Sequence, residues 1–197
     1  MDFFSREEAD IIGEISNICI GSSATALNVM LGQPVNITTP NVLLVRKNQI
    51  LEDYENSCIL VKVQYIQGLY GTNLLVLKDE DSKIITDLMM GNDGTGPHSK
   101  GEITPLHLSA ISEAMNQMTA SSATAMSKMF NNKIDISPPQ VQSILIDEFT
   151  FSDDIPDDLY VKITFRMKIG KLVDSTIMQL YPFDLAHSIY KLFQRRK

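Results

Sequence analysis

Ser22-Ser23-Ala24-Thr25-Ala26 returns unbroken as Ser121-Ser122-Ala123-Thr124-Ala125, a displacement of 99 residues. The same displacement lays residues 10–42 over 109–141. It pairs Ile12 with Ile111, Glu14 with Glu113, Asn17 with Asn116, Met30 with Met129, Ile37 with Ile136, Pro40 with Pro139 and Val42 with Val141. Scattered identities arise by chance; an unbroken five does not. A weaker echo follows, Val61-Lys62-Val63-Gln64-Tyr65 against Val161-Lys162-Ile163-Thr164-Phe165. The chain therefore reads as a duplication, with repeats over about 5–90 and 104–193 joined by a glycine-rich linker at 91–103. Two copies fall short of the three or more that a solenoid needs. The expectation is one domain over residues 1–197 whose halves share a core.

Each repeat reads as helix, three strands, helix: an α/β (α+β) pattern of α-β-β-β-α, used twice. Ser5 and Glu8 have capping-box spacing for the first long helix. Thr104 can cap the second, with Pro105 suited to its first turn. Breaks at Gly32-Gln33-Pro34 and Asn131-Asn132-Lys133 end them. Strands are expected at Asn41–Val45, Cys58–Tyr65 and Asn73–Leu77, then at Val141–Ile146, Leu159–Met167 and Leu172–Leu180. Closing helices fall near Asp81–Met90 and Phe183–Phe193. The run Gly91-Asn92-Asp93-Gly94-Thr95-Gly96 reads as a flexible connector. It does not join a strand to a helix start, as a phosphate-cradling loop does.

Along a helix that turns ~100° per residue, Glu14 lies ~40° and Asn17 ~20° from Asp10, so the three share one stripe. Ile12, Ile15, Cys19, Ser23, Ala26 and Met30 lie opposite and should point inward. The second helix repeats this with Ser109, Glu113 and Asn116 outward and Ile111, Ala114, Met118, Ala125 and Met129 inward. One such stripe is an ordinary solvated face. Two copies keep Glu and Asn while neighbours change, as at Ile15/Ala114, Ser16/Met115, Ile18/Gln117 and Cys19/Met118. Asparagine is a mediocre helix former, so its retention mid-helix twice calls for a use. The small Ser-Ser-Ala-Thr-Ala patch is expected to permit close packing.

Composition narrows the possible functions. A net charge of −7 argues against nucleic acid, whose phosphates need a basic surface. With 44% apolar residues the chain can bury a sizeable core, but no run approaches the ~20 apolar residues of a membrane span. Cys19 and Cys58 lack C-x-x-C spacing and read as reduced thiols. With no signal-peptide pattern at the start, the expected location is the cytoplasm. His98, His107 and His187 show no paired metal spacing and are expected at the surface or in ordinary packing. No serine sits in a nucleophile elbow, and the ten methionines read as core filler. The acidic run Asp147-Glu148, Asp153-Asp154 and Asp157-Asp158 reads as a solvated loop, with a metal site as the second choice.

Asp10-x3-Glu14-x2-Asn17-x22-Pro40 and Ser109-x3-Glu113-x2-Asn116-x22-Pro139 both match (Asp or Ser)-x3-Glu-x2-Asn-x22-Pro. That signature resembles the CheC–CheX–FliY family of chemotaxis phosphatases, and the resemblance covers essentially the whole chain. Within the family it points to the CheC-like middle domain of the flagellar-switch branch, FliY. Gly13-Glu14-Ile15-Ser16-Asn17-Ile18 and Gly21-Ser22-Ser23-Ala24-Thr25-Ala26-Leu27 carry this finer likeness. Cys19-Ile20-Gly21 replaces the Gly-Ala-Gly run usual in CheC. Residues 1–197 show no acidic-apolar regulator-binding peptide and no rotor-attachment domain of the FliY kind. Two intact motifs separate the chain from the FliM middle domain, where they are degraded.

The resemblance implies a pseudo-two-fold fold with pooled antiparallel strands and two long outer helices. It implies hydrolysis of the aspartyl phosphate on a CheY-like response regulator. The implied catalytic residues are Glu14, Asn17, Glu113 and Asn116. Asp10 and Ser109 are accessory, and Pro40 and Pro139 structural, setting the start of the strand that follows. No metal or cofactor of its own is implied; Mg2+ belongs to the partner. Flagellar switch proteins of the FliM, FliN and FliG kind are further expected partners, with a location at the basal body (C-ring). A scaffold that binds the regulator without catalysis, or a phosphatase tuned by a deamidase, would share these features.

Overall fold

Ser5 and Glu8 close the expected capping box. Ser5 Oγ accepts from Glu8 N at 3.1 Å and Glu8 Oε2 accepts from Ser5 N at 2.9 Å. They start α1 (Arg6–Leu31), which ends on left-handed Gly32. The computed structural model describes residues 4–146 and 159–196. The second long helix, α3 (Pro105–Phe130), begins at Thr104 and ends on left-handed Asn131. Thr104 stands at its N-cap, as expected, and a histidine closes the box: the Thr104 N–H donates to His107 Nδ1 at 3.0 Å, and the Thr104 hydroxyl lies 2.8 Å from that atom. His107 stands where Glu8 stands in the first repeat, and it is buried, in a packing role. Its Nε2 reaches His98 O at 2.7 Å, so the ring both caps α3 and pins the preceding loop.

The strands are β1 (Val35–Arg46), β2 (Ser57–Gln67), β3 (Gly71–Lys78), β4 (Asp135–Ile136), β5 (Gln140–Leu145), β6 (Leu159–Ile169) and β7 (Val173–Pro182), with closing helices α2 (Asp79–Met89) and α4 (Phe183–Gln194). All strand pairings are antiparallel, in the order β1-β6-β7-β3-β2, with β4 and β5 both on the outer edge of β2. Exchanging the repeats reverses this order onto itself. The pseudo-two-fold axis therefore passes between β3 and β7. Each repeat's first strand pairs with the other repeat's second: β1 with β6, β5 with β2. Both first strands start earlier than expected. Pro40 lies inside β1, at a register break between Thr38 and Asn41. Pro139 lies in the gap that splits β4 from β5. Proline has no N–H for the ladder, so each repeat breaks its outermost strand at the same place.

The four α-helices of the described residues cover one face of the sheet. Beneath them lies the main core, including Ile12, Leu27, Ile59, Val61, Leu75, Ile111, Met115, Ile163, Phe165 and Ile189. α2 packs on α3, and α4 on α1. His187 Nδ1 lies 2.9 Å from Glu8 Oε1 and ties α4 to the start of α1. The other face carries a smaller cluster around Leu60, Leu74, Tyr160 and Met178. Ile50, Leu51 and Tyr54 pack against it, and an Asp53–Lys162 ion pair of 2.7 Å adds a polar tie. No helix among the described residues is long and apolar enough to cross a membrane. The acidic run at 147–158 lies outside the described residues.

The glycine-rich linker is not the loose connector its composition suggests. It is wrapped around one buried carboxylate, that of Asp87 at the end of α2. Gly94 N, Gly96 N and His98 N donate to it at 2.9, 3.0 and 3.1 Å, and Asn92 Nδ2 at 3.2 Å. Two positions favour glycine for different reasons: Gly94 has a left-handed backbone, at φ +89°, and a Cβ on Gly96 would meet Asp87 Oδ1 at 2.7 Å. Burial pushes the Asp87 carboxyl upward, but the N–H groups of Gly96 and His98, with Asn92 and Gly94, outweigh it. The group is held below its ordinary 3.8. A carboxylate with a lowered folded pKa stabilises the fold above its unfolded value and loses that contribution as pH falls through the folded one. Asp87→Ala should cost about 2–4 kcal/mol in urea unfolding at neutral pH, because four donors lose their acceptor. The gap to wild type should narrow as pH is lowered below 3.8.

Candidate functional site

α1 and α3 meet through the repeated small-residue patch. Ser23 Oγ lies 2.8 Å from Met118 O and 3.0 Å from its own helix's Cys19 O, sharing one proton between them. Ser122, the counterpart of Ser23, hydrogen-bonds Cys19, the counterpart of Met118. Ser22 Oγ reaches Ser121 O at 3.4 Å. As numbers rise on one helix they fall on the other, so the helices cross antiparallel near Gly21–Ser22 and Ala120–Ser121. A hydroxyl can reach a neighbouring helix's carbonyl only where the backbones approach closely, which the serines and alanines permit. At ~1.5 Å per residue, Asn17 and Asn116 each lie ~7 Å along the axis from that crossing, on opposite sides of it.

The outward stripes stand where the sequence puts them. Asp10, Glu14 and Asn17 on α1 are exposed, as are Ser109 and Glu113 on α3, while Asn116 is half-buried. Behind them Ile12, Ile15, Cys19, Ile111, Ala114 and Met118 are buried. The inward face is not a straight continuation: past the crossing it passes to Ile20, Ala24, Leu27 and Leu31, leaving Ala26 and Met30 half-buried at the rim. Ala125 sits likewise at the rim of α3, beside buried Ala123 and Met126. Each Glu/Asn pair stands on a single helix.

Chemistry at these sites is limited to what carboxylate and amide can do. Neither cysteine is a ready nucleophile. Burial pushes the Cys19 thiol up to about 11, against the opposing Ser122 bond. Burial, helped by Asp79, pushes Cys58 up to about 12. Among the described residues no three His, Cys, Asp or Glu side chains converge to hold a metal ion. The motif groups sit on helix faces open to solvent, a shape suited to a protein partner. Two residues passed over in the sequence reading border the sites. Gln117 Nε2 donates to Glu113 Oε1 at 3.3 Å. Ile18, its counterpart, is a large apolar side chain left 50% exposed beside Asn17. The 18/117 mismatch was visible in the repeat alignment, but only the structure shows that both face outward.

The model of the CheC-like family matches this chain twice, over residues 7–44 and 106–143. Those stretches stand at the same displacement of 99 as the repeats. The solved FliY of Thermotoga maritima is 35% identical, covers 98% of this chain and 99% of its own, and superposes with a TM-score of 0.91. The chain belongs to the CheC-like family. The flagellar motor switch phosphatase FliY of Bacillus subtilis (strain 168) is 49% identical over 191 residues, 96% of this chain and 50% of the relative. The chain thus spans about half the length of that relative. A chain of the FliG–FliM complex from H. pylori shares the fold at a TM-score of 0.76 and 13% identity, covering 95% of this chain and 99% of its own.

Close packing at the crossing can be tested apart from chemistry. Ser23→Ala should cost about 1 kcal/mol, the worth of the lost hydroxyl bond. Ser23→Leu should cost about 3 kcal/mol, because the larger side chain must force the helices apart. Urea unfolding of the two variants measures both.

Proposed function

We propose that the chain hydrolyses the aspartyl phosphate of a CheY-like response regulator, at two centres, one on α1 and one on α3. The observation that carries this reading is the doubled outward Glu/Asn pair on two helices. The name of the 49% identical relative, a flagellar motor switch phosphatase, supports it. Water attacks the phosphorus in line with the leaving carboxylate through a loose transition state, so placing the water is most of the task. A side-chain amide both donates and accepts, so Asn17 or Asn116 orients that water, a gain of position. Glu14 or Glu113, one turn earlier, docks a cationic group of the partner and brings the Asn into register. Asp10 and Ser109 extend that contact. The phosphorylated aspartate and its Mg2+ come with the regulator. The relative's name also supports association with other proteins of the flagellar motor switch.

Phosphate release from an acetyl-phosphate-charged chemotaxis regulator tests this reading directly. Asn17→Ala and Asn116→Ala should each cut the rate at their own centre by about 10²-fold and leave the other centre running, since distant sites add independently. The double variant should fall to the regulator's own rate while its unfolding curve stays unchanged. A double variant that still hydrolyses at the wild-type rate removes both asparagines from the mechanism.

Metal dependence gives a second check. Protein treated with a chelator and returned to Mg2+ should show the Mg2+ dependence of the regulator's own autodephosphorylation. Stoichiometric zinc or manganese retained by the purified chain would contradict a metal-free centre.

A further inference from the structure

The two centres are built on one pattern but are not furnished alike. On α3, Gln117 stands one turn after Glu113 and donates its amide to that carboxylate. On α1 the equivalent position is Ile18, whose hydrocarbon side chain has nothing to donate, and Glu14 has no such partner among the described residues. Ile18 is 50% exposed, directly after Asn17, on a face otherwise made of Asp10, Glu14 and Asn17. An exposed isoleucine gains from being covered by a partner, and a glutamine does not. Asn116 is moreover half-buried where Asn17 is exposed.

We infer that the residue pair Ile18 and Gln117 makes the centres unequal in docking, with the α1 centre binding the phosphorylated regulator more tightly than the α3 centre. The inference rests on the proposed phosphatase reading and adds to it which residues set the difference. Two effects act in the same direction. Covering the free half of Ile18 favours docking on α1 by roughly fivefold, half the worth of burying a whole isoleucine. At α3, a cation approaching Glu113 must share the carboxylate with the Gln117 amide. A surface pair of this i, i+4 kind is weak, worth no more than about twofold. It helps prearrange Glu113 by no more than the same small amount, so the apolar contact decides the sign. Ile18 carries no group that could orient water, and the Gln117 amide has an N–H engaged on Glu113. Both are positioning residues, and their effect belongs in KM and not in kcat.

The test uses the full chain with one centre silenced at a time. In the Asn116→Ala background, Ile18→Gln should raise KM for the acetyl-phosphate-charged regulator about fivefold or more, with kcat changed less than twofold. In the Asn17→Ala background, Gln117→Ile should lower KM by a similar factor, again at constant kcat. Both positions are on the surface, and unchanged urea midpoints exclude a folding effect. Opposite KM shifts at constant kcat support the inference. Unchanged KM in both variants, or a change confined to kcat, overturns it while wild-type phosphate release leaves the phosphatase reading standing. Absence of any phosphate release from the wild-type chain overturns that reading, and this inference with it.

Discussion

β1 hydrogen-bonds to β6, and β5 to β2, so each repeat lends its first strand to the other. Neither repeat can complete its part of the sheet from its own residues. The exchange forces the halves into one seven-stranded sheet and brings both long helices to the middle of the same face. There they cross each other. Closing helices follow the same rule, α2 lying on α3 and α4 on α1. Once the helices meet at a patch of serines and alanines, their remaining faces are committed. One side goes to the sheet, and the side carrying Glu and Asn goes to solvent. The outward motif is thus a product of the strand exchange as well as of helical periodicity.

Local signals in the sequence carried far, because they act over a few residues. Ser5 with Glu8, Gly32 and Asn131 mark helix ends through hydrogen bonds or backbone angles that need no tertiary partner. The β-branched runs at Cys58–Tyr65 and Leu159–Met167 became the central strands of the two repeats. The outward stripe was legible for the same reason, since Glu14 and Asn17 follow from rotation about one axis. What stayed hidden depends on distant partners. Nothing near Val35 says that it pairs with Ile169. Asp87 looks like another polar residue on a surface helix until Gly94, Gly96 and His98 fold back onto it. Ala26 and Met30 continue the inward stripe on a helical wheel. They end at the rim because the second helix occupies one flank and the burial stripe passes to Leu27 and Leu31.

Duplication also explains how one fold carries two centres at little added cost. The Glu/Asn pair is held by a helix whose stability comes from its buried side, so its outward side is free to vary. Asp10 against Ser109, and Ile18 against Gln117, are changes on that free side. Inward changes are constrained by volume: Cys19 against Met118 and Ile15 against Ala114 remain apolar, and all four are buried.

The axis between β3 and β7 has a consequence for ancestry. An assembly in which each half completes the other's sheet, and in which the halves meet at a self-complementary helix crossing, has the symmetry of a homodimer with exchanged strands. Fusion of two such subunits through the loop clasped by Asp87 fixes the partner in place, so assembly no longer depends on dilution. It also frees the subunits from having to be identical. A single-copy gene for a symmetric dimer must change both surfaces together. A fused gene can alter one surface while the other keeps the ancestral pattern, and the unmatched pair at 18 and 117 is the mark such a history leaves.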